Sequence, residues 1–87
     1  MAISLDETDA LYYDNRASAY HDNGNYKKAI EDYTSSIDLF PNDPESYYFR
    51  AQAKFELDKN DEGCLDLQVA AQFGLLEAAN DINQKCK

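Results

Sequence analysis

The sequence predicts an all-α fold, an α-α superhelix of two antiparallel helix hairpins closed by a capping helix. Three observations predict it. The chain matches itself at an offset of 34 residues: Tyr13 answers to Tyr47, Arg16 to Arg50, Ala17 to Ala51, Ala19 to Ala53 and Asp32 to Asp66. Small residues also answer small ones, Ala29 by Gly63 and Ser36 by Ala70. Apolar residues within each copy recur at helical spacing. Breaks at Asn23-Gly24-Asn25 and Pro41-Asn42-Asp43-Pro44 cut the chain into helix-length pieces. A repeat of this length implies hairpins that cannot bury their apolar faces alone and therefore stack.

The first helix is expected from Glu7 to about Asn23, capped by Asp6 or Thr8, with acidic residues near the positive end of its dipole. Gly24 ends it, because glycine reaches the left-handed conformation at low cost. The second runs from Tyr26 to about Leu39 with Ala29, Ile30, Tyr33 and Ile37 inward. Pro44 suits the first position of a third helix, which reaches about Leu57. Asn60 or Asp61 starts the fourth, to about Phe73, and Gly74 introduces a fifth from Leu75 to about Cys86. Short connections make successive helices antiparallel. Ala17 is expected to face Ala29 and Ser36, and Ala51 to face Gly63 and Ala70, so that the helices approach closely. Gly63 inside a helix costs about 1 kcal/mol relative to Ala, which points either to a close crossing there or to an early frayed turn. In the fifth helix Ala78, Ala79 and Ile82 face inward. Glu77, Asp81, Asn83, Gln84, Lys85 and Lys87 face solvent, as in a cap.

The first copy resembles the tetratricopeptide repeat (TPR). The pattern W-x2-L-G-x2-Y, A-x3-F and P falls on Tyr13, Arg16, Ala17, Tyr20, Ala29, Tyr33 and Pro41, with Gly24-Asn25-Tyr26 at the turn. Arg16 is the departure; its stem can pack while its head reaches water. The second copy keeps Tyr47, Ala51 and Ala70. It has Lys54 where Tyr20 stood, Asp58 for the turn glycine, and Gly74-Leu75 in place of a closing proline. The stretch from Ala70 to Ala79 also resembles Sel-one-like repeats. The chain reads as one domain over 1–87, with repeats 10–43 and 44–77 and a cap over 75–87.

Seventeen acidic residues against eight basic give a net charge of −9. Such a charge opposes nucleic acid and anionic lipid, whose binding rests on Lys and Arg. It reads as solubility, or as attraction for a basic partner. No apolar run approaches the roughly 20 residues that span a bilayer. Met1 to Asp9 lacks the form of a signal peptide, which leads to the expectation of a cytoplasmic protein, with a periplasmic or secreted one as the alternative.

Chemistry has few footholds. His21 is the single histidine, and no nucleophile is marked beside it. One histidine and two distant cysteines make no zinc spacing. Asp58-Lys59-Asn60-Asp61-Glu62-Gly63 resembles the start of a calcium loop, but Val69 stands at the twelfth place, where a bidentate glutamate is needed. No enzyme, cofactor or metal is expected. Cys64 lies ten residues before Gly74 and Cys86 eleven after Leu75, which sets both at one height on antiparallel helices. They read either as two buried thiols or as a disulfide stapling the cap.

The resemblance implies a concave face lined by the first helix of each hairpin, along which a partner peptide lies. Carried over position by position, it assigns Leu11, Asp14, Asn15, Ser18, His21 and Asp22 from the first hairpin. Glu45, Tyr48, Phe49, Gln52, Phe55 and Glu56 come from the second. Phe49 and Phe55 fit a core role equally well. Aromatics ringed by carboxylates and amides suit a protein or peptide partner with a basic group over an apolar anchor. A family subtype clamps acidic chaperone C-termini with Lys, Asn and Arg. Here Asn15 fits, whereas Glu45 and Phe49 occupy places needing Lys and Arg, so such a peptide is expected not to bind. The alternative function is self-association, with a second copy covering Leu5, Leu11 and Tyr12 to make a homodimer.

Overall fold

The computed structural model describes residues 7–86. Five helices follow one another: α1 Glu7–Asp22, α2 Tyr26–Leu39, α3 Pro44–Glu56, α4 Asn60–Gln72 and α5 Leu76–Lys85. No strand occurs among the described residues. Each helix packs against the next, and α1 also touches α3, so the molecule is a stack of neighbours rather than a shell around one centre. The caps expected at Asp6 and Thr8, and the exposure expected of Leu5 and Lys87, lie outside the described side chains.

The boundaries follow from backbone chemistry. Gly24, Asp58 and Gly74 take positive φ values of 80°, 60° and 99°. Behind each, the next amide donates five residues back: Asn25 to the Tyr20 carbonyl at 2.8 Å, Lys59 to Lys54 at 2.8 Å, Leu75 to Ala70 at 3.1 Å. The same helix stop thus occurs three times, satisfying carbonyls that a helix end leaves bare. Asp58 occupies the left-handed position of Gly24, as an aspartate can. The start of α3 is fixed by Asp43, whose carboxylate accepts from the Glu45 amide at 3.0 Å, with Pro44 as the first helical residue.

Small side chains set the helix spacing. One buried cluster joins Ala17, Ala29, Tyr33 and Ala53; the other joins Ala51, Leu67, Ala70 and Ala78. Gly63 is the tightest crossing. A Cβ there would stand 2.9 Å from the Phe55 ring and 3.2 Å from the Ala51 carbonyl oxygen, so α3 and α4 meet backbone to backbone. Ser36 is buried beside Ser46, their hydroxyls 3.3 Å apart, and the Ser46 hydroxyl donates to Asp14 at 3.0 Å. This polar knot joins both helices of the first hairpin to α3.

Arg16 corrects an expectation. Its guanidinium does not simply reach water; it grips the buried Asp32 with two parallel bonds of 2.7 and 2.9 Å. The second repeat builds the same fork, Arg50 to Asp66 at 2.8 and 2.7 Å. Arg50 also reaches back to the Thr34 hydroxyl at 3.1 Å, tying the second hairpin to the first. A planar guanidinium suits this bidentate use, and Tyr12, Tyr13 and Tyr47 stack against the two forks. Where Tyr20 accepts the Lys28 ammonium on its face at 5.8 Å, Lys54 instead meets Glu62 at 3.7 Å and Asp66 at 2.9 Å.

The cap lies on α4 through Ala78 and Ile82, and a disulfide joins Cys64 to Cys86. Asp81 and Lys85 do not simply face solvent. The Gln52 amide nitrogen donates to Asp81 at 2.9 Å, and the Lys85 ammonium donates to the Gln52 carbonyl oxygen at 3.0 Å.

Candidate functional site

Helices α1 and α3 occupy equivalent places one repeat apart and leave a channel between them. Two adjoining depressions mark it. One, of about 220 Å³, is lined by Leu11, Asp14, Asn15, Ser18, Tyr33, Asp43, Glu45 and Phe49. The other, of about 350 Å³, is lined by Ser18, His21, Asp22, Tyr33, Tyr48, Phe49, Gln52 and Glu56. They share Ser18, Tyr33 and Phe49, which makes one surface with an aromatic middle.

The floor is rigid. Tyr33 of α2 is 3% exposed and stacks on Phe49 with centroids 6.2 Å apart. Burial pushes its phenol up to about 12, helped by the charges of Asp14 and Asp22, while a hydrogen bond with Ser18 works against the shift. It therefore remains a neutral hydroxyl. Phe49 is 44% exposed and also meets Tyr48 edge to face at 5.4 Å, so an apolar ring is presented outward from a packed base. Burial also raises the Tyr48 phenol, with Asp81 adding to the rise. His21 is braced edge to face against Tyr26 at 4.9 Å.

Carboxylates stand at both ends. Asp14, Asp43 and Glu45 flank one end, Asp22 and Glu56 the other, and neither depression is lined by Lys or Arg. Asp14 is half-buried, and desolvation raises its carboxyl despite donors from Ser36 and Ser46. Among the described residues no ion pair engages Asp22, Glu45 or Glu56.

The structure thus brings Asp14, Asn15, Ser18, His21, Glu45, Tyr48, Phe49 and Gln52 onto one channel. Phe55 is placed elsewhere. It lies against Gly63 in the second cluster, with the Lys85 ammonium 5.0 Å over its ring, so it serves the core. Sequence reasoning did not assign Tyr33 and Asp43 to the channel. Tyr33 carried a repeat-pattern signal and Asp43 a turn signal, and each does both jobs. The reach of α5 to Gln52 had no signal in the repeat, because the cap has no counterpart one period away.

Residues 17–58 match a sequence model of the TPR repeat. The chain is similar to the first TPR of Spaghetti (RPAP3) bound to the HSP90 peptide SRMEEVD, at 30% identity and a TM-score of 0.79. That match covers 84% of this chain and 58% of the other. It is similar also to the second TPR of Spaghetti (RPAP3) bound to the same peptide, at 25% identity and a TM-score of 0.76, covering 78% of this chain and 63% of that one. The chain spans less than two-thirds of either solved chain.

Proposed function

Since this chain is a TPR domain of two repeats and a capping helix, we propose that it is a non-catalytic interaction module holding an extended protein segment between α1 and α3. The observation that carries the reading is the outward Phe49 ring over a buried Tyr33, walled by amides and carboxylates. An aromatic anchor on a packed base with a polar surround is the form that binding hot spots take. Two solved neighbours with a bound peptide support the same class of ligand. The disulfide bears on location, because such bonds persist in oxidising compartments. We propose on this ground the periplasmic or secreted alternative to the cytoplasmic expectation, and thiol labelling of the chain freshly taken from its source cells checks this.

The test is titration of isotope-labelled chain with a pool of extended peptides, read by amide shifts. Shifts are expected at Asn15, Ser18, Phe49 and Gln52 and should vanish in Phe49→Ala with helicity unchanged. Shifts confined to the outer faces of α2 and α4 would overturn the proposal. Self-association is the second reading, favoured by Leu11 and Tyr12, 54% and 58% exposed on α1. Light scattering decides it: a mass that rises with concentration and falls back in Leu11→Ser/Tyr12→Ser supports a dimer.

A further inference from the structure

We propose that the channel selects an extended segment of the form basic-x-apolar-x-basic; the inference rests on the channel being the binding surface. Its ends carry uncompensated anions and its centre an exposed ring, so a ligand must present two cations with an apolar side chain between them. The buried acids among the described residues, Asp32 and Asp66, are each paired with arginine. The channel acids Asp22, Glu45 and Glu56 have no cation of their own among the described residues. A basic group from a ligand relieves their mutual repulsion.

Geometry sets the spacing. Asp14 and Asp22 lie eight residues apart on α1, about 12 Å at a rise of 1.5 Å per residue. Glu45 and Glu56 lie eleven apart on α3, about 16 Å by the same rise. An extended chain advances about 3.3 Å per residue, so four steps span about 13 Å. Alternate side chains of an extended segment point the same way. Positions one, three and five therefore all face the channel, with the third over Phe49. Basic groups three apart would point to opposite sides. The peptide SRMEEVD held by the solved neighbours has three acidic residues and one basic, the opposite of what these walls attract.

The experiment is fluorescence anisotropy at low and physiological salt, with amide shifts as a second readout. It uses a Lys-x-Phe-x-Lys peptide, a Lys-x-x-Lys isomer of equal charge, a Gln-x-Phe-x-Gln peptide and SRMEEVD. The first should bind roughly tenfold tighter than the second and third, and SRMEEVD should not bind. Glu45→Gln and Glu56→Gln, both exposed, should each weaken the first peptide roughly threefold and flatten its salt dependence. Equal affinity for the neutral peptide, with shifts still at Ser18 and Phe49, overturns the charge requirement and leaves the binding surface standing. Equal affinity for the two lysine isomers overturns the spacing. Channel shifts absent with all four peptides overturn both. Micromolar binding of SRMEEVD overturns the proposal outright.

Discussion

Asp66 receives two bonds from Arg50 and a third contact from Lys54, and it is almost wholly buried. Replacing it by Asn leaves two cations facing a neutral amide. Asp66→Asn is expected to destabilise by about 3 kcal/mol, the low end for a broken buried pair because some water reaches the guanidinium. Asp32→Asn should cost less, since Arg16 is 45% exposed and water takes over its bonds; urea unfolding of the two variants checks the order. The offset made Arg16, Asp32, Arg50 and Asp66 visible. It did not pair them, because partners 16 apart meet only once the turn between their helices is known. Asp14 supplies a pH dependence. Its carboxyl lies above the ordinary 3.8 because burial disfavours the charge. The folded state therefore holds the proton more tightly than the unfolded chain. Its contribution falls as pH rises from 3.8 through the folded value, and the ionised form costs stability at neutral pH. Asp14→Asn keeps an acceptor for Ser46 without the charge. It should melt at or above the parent at pH 7, with the difference vanishing below 3.8; melting curves at pH 3 and pH 7 that run parallel would contradict this. Asp58 adopts φ of 60° in the place Gly24 fills. Asp58→Gly should gain up to about 1 kcal/mol, offset in part by a freer unfolded chain, whereas Asp58→Val should lose about 1–2 kcal/mol.

Helices α3 and α4 touch at Gly63, and an alanine there tests what the contact requires. Propensity alone would favour Ala by about 1 kcal/mol. The Phe55 ring can turn aside, but the Ala51 carbonyl belongs to the backbone and cannot move without opening the crossing. Gly63→Ala is expected to destabilise by about 1–2 kcal/mol. Phe55→Leu should recover only part of it, as denaturant midpoints of the single and double variants would reveal. Helix limits were legible to within a residue or two, because prolines, glycines and caps are local signals. The side on which Phe55 falls was not. It stands one residue before Glu56, and the approach of α4 over Gly63 turns the first inward and leaves the second on the channel. At α5 the disulfide closes a span of 22 residues. By loop-closure entropy it contributes about 3 kcal/mol. Reductant should lower the melting temperature and raise hydrogen exchange first in α5. No response to reductant would mean that Ala78 and Ile82 already hold the cap.

The molecule as a whole carries nine surplus negative charges, and the channel concentrates several of them. Self-repulsion opposes compaction. Raising ionic strength from about 0.01 to about 0.15 M shortens screening from about 30 to about 8 Å. The midpoint of thermal unfolding should therefore rise with salt, although the Arg16–Asp32 fork, exposed on its Arg16 side, is itself weakened. A fall would mean that the forks outweigh the repulsion. Stacking order and hairpin pairing were contained in the repeat, since each hairpin meets only its neighbours, whereas the channel residues came from the family resemblance, which missed Tyr33 and Asp43 and included Phe55. What joins the hairpins was not, because Arg50 to Thr34 and Ser46 to Asp14 are cross-copy contacts and no copy carries both partners. The mismatch at Tyr20 and Lys54 bears on any attempt to lengthen the array by tandem duplication. Tyr20 sits with Lys28, and Lys54 with Glu62, so the halves differ by couples rather than by single letters. Grafting tyrosine alone at 54 would strip Asp66 of its second cation and set an electron-rich ring against a carboxylate. The transplantable unit is the couple.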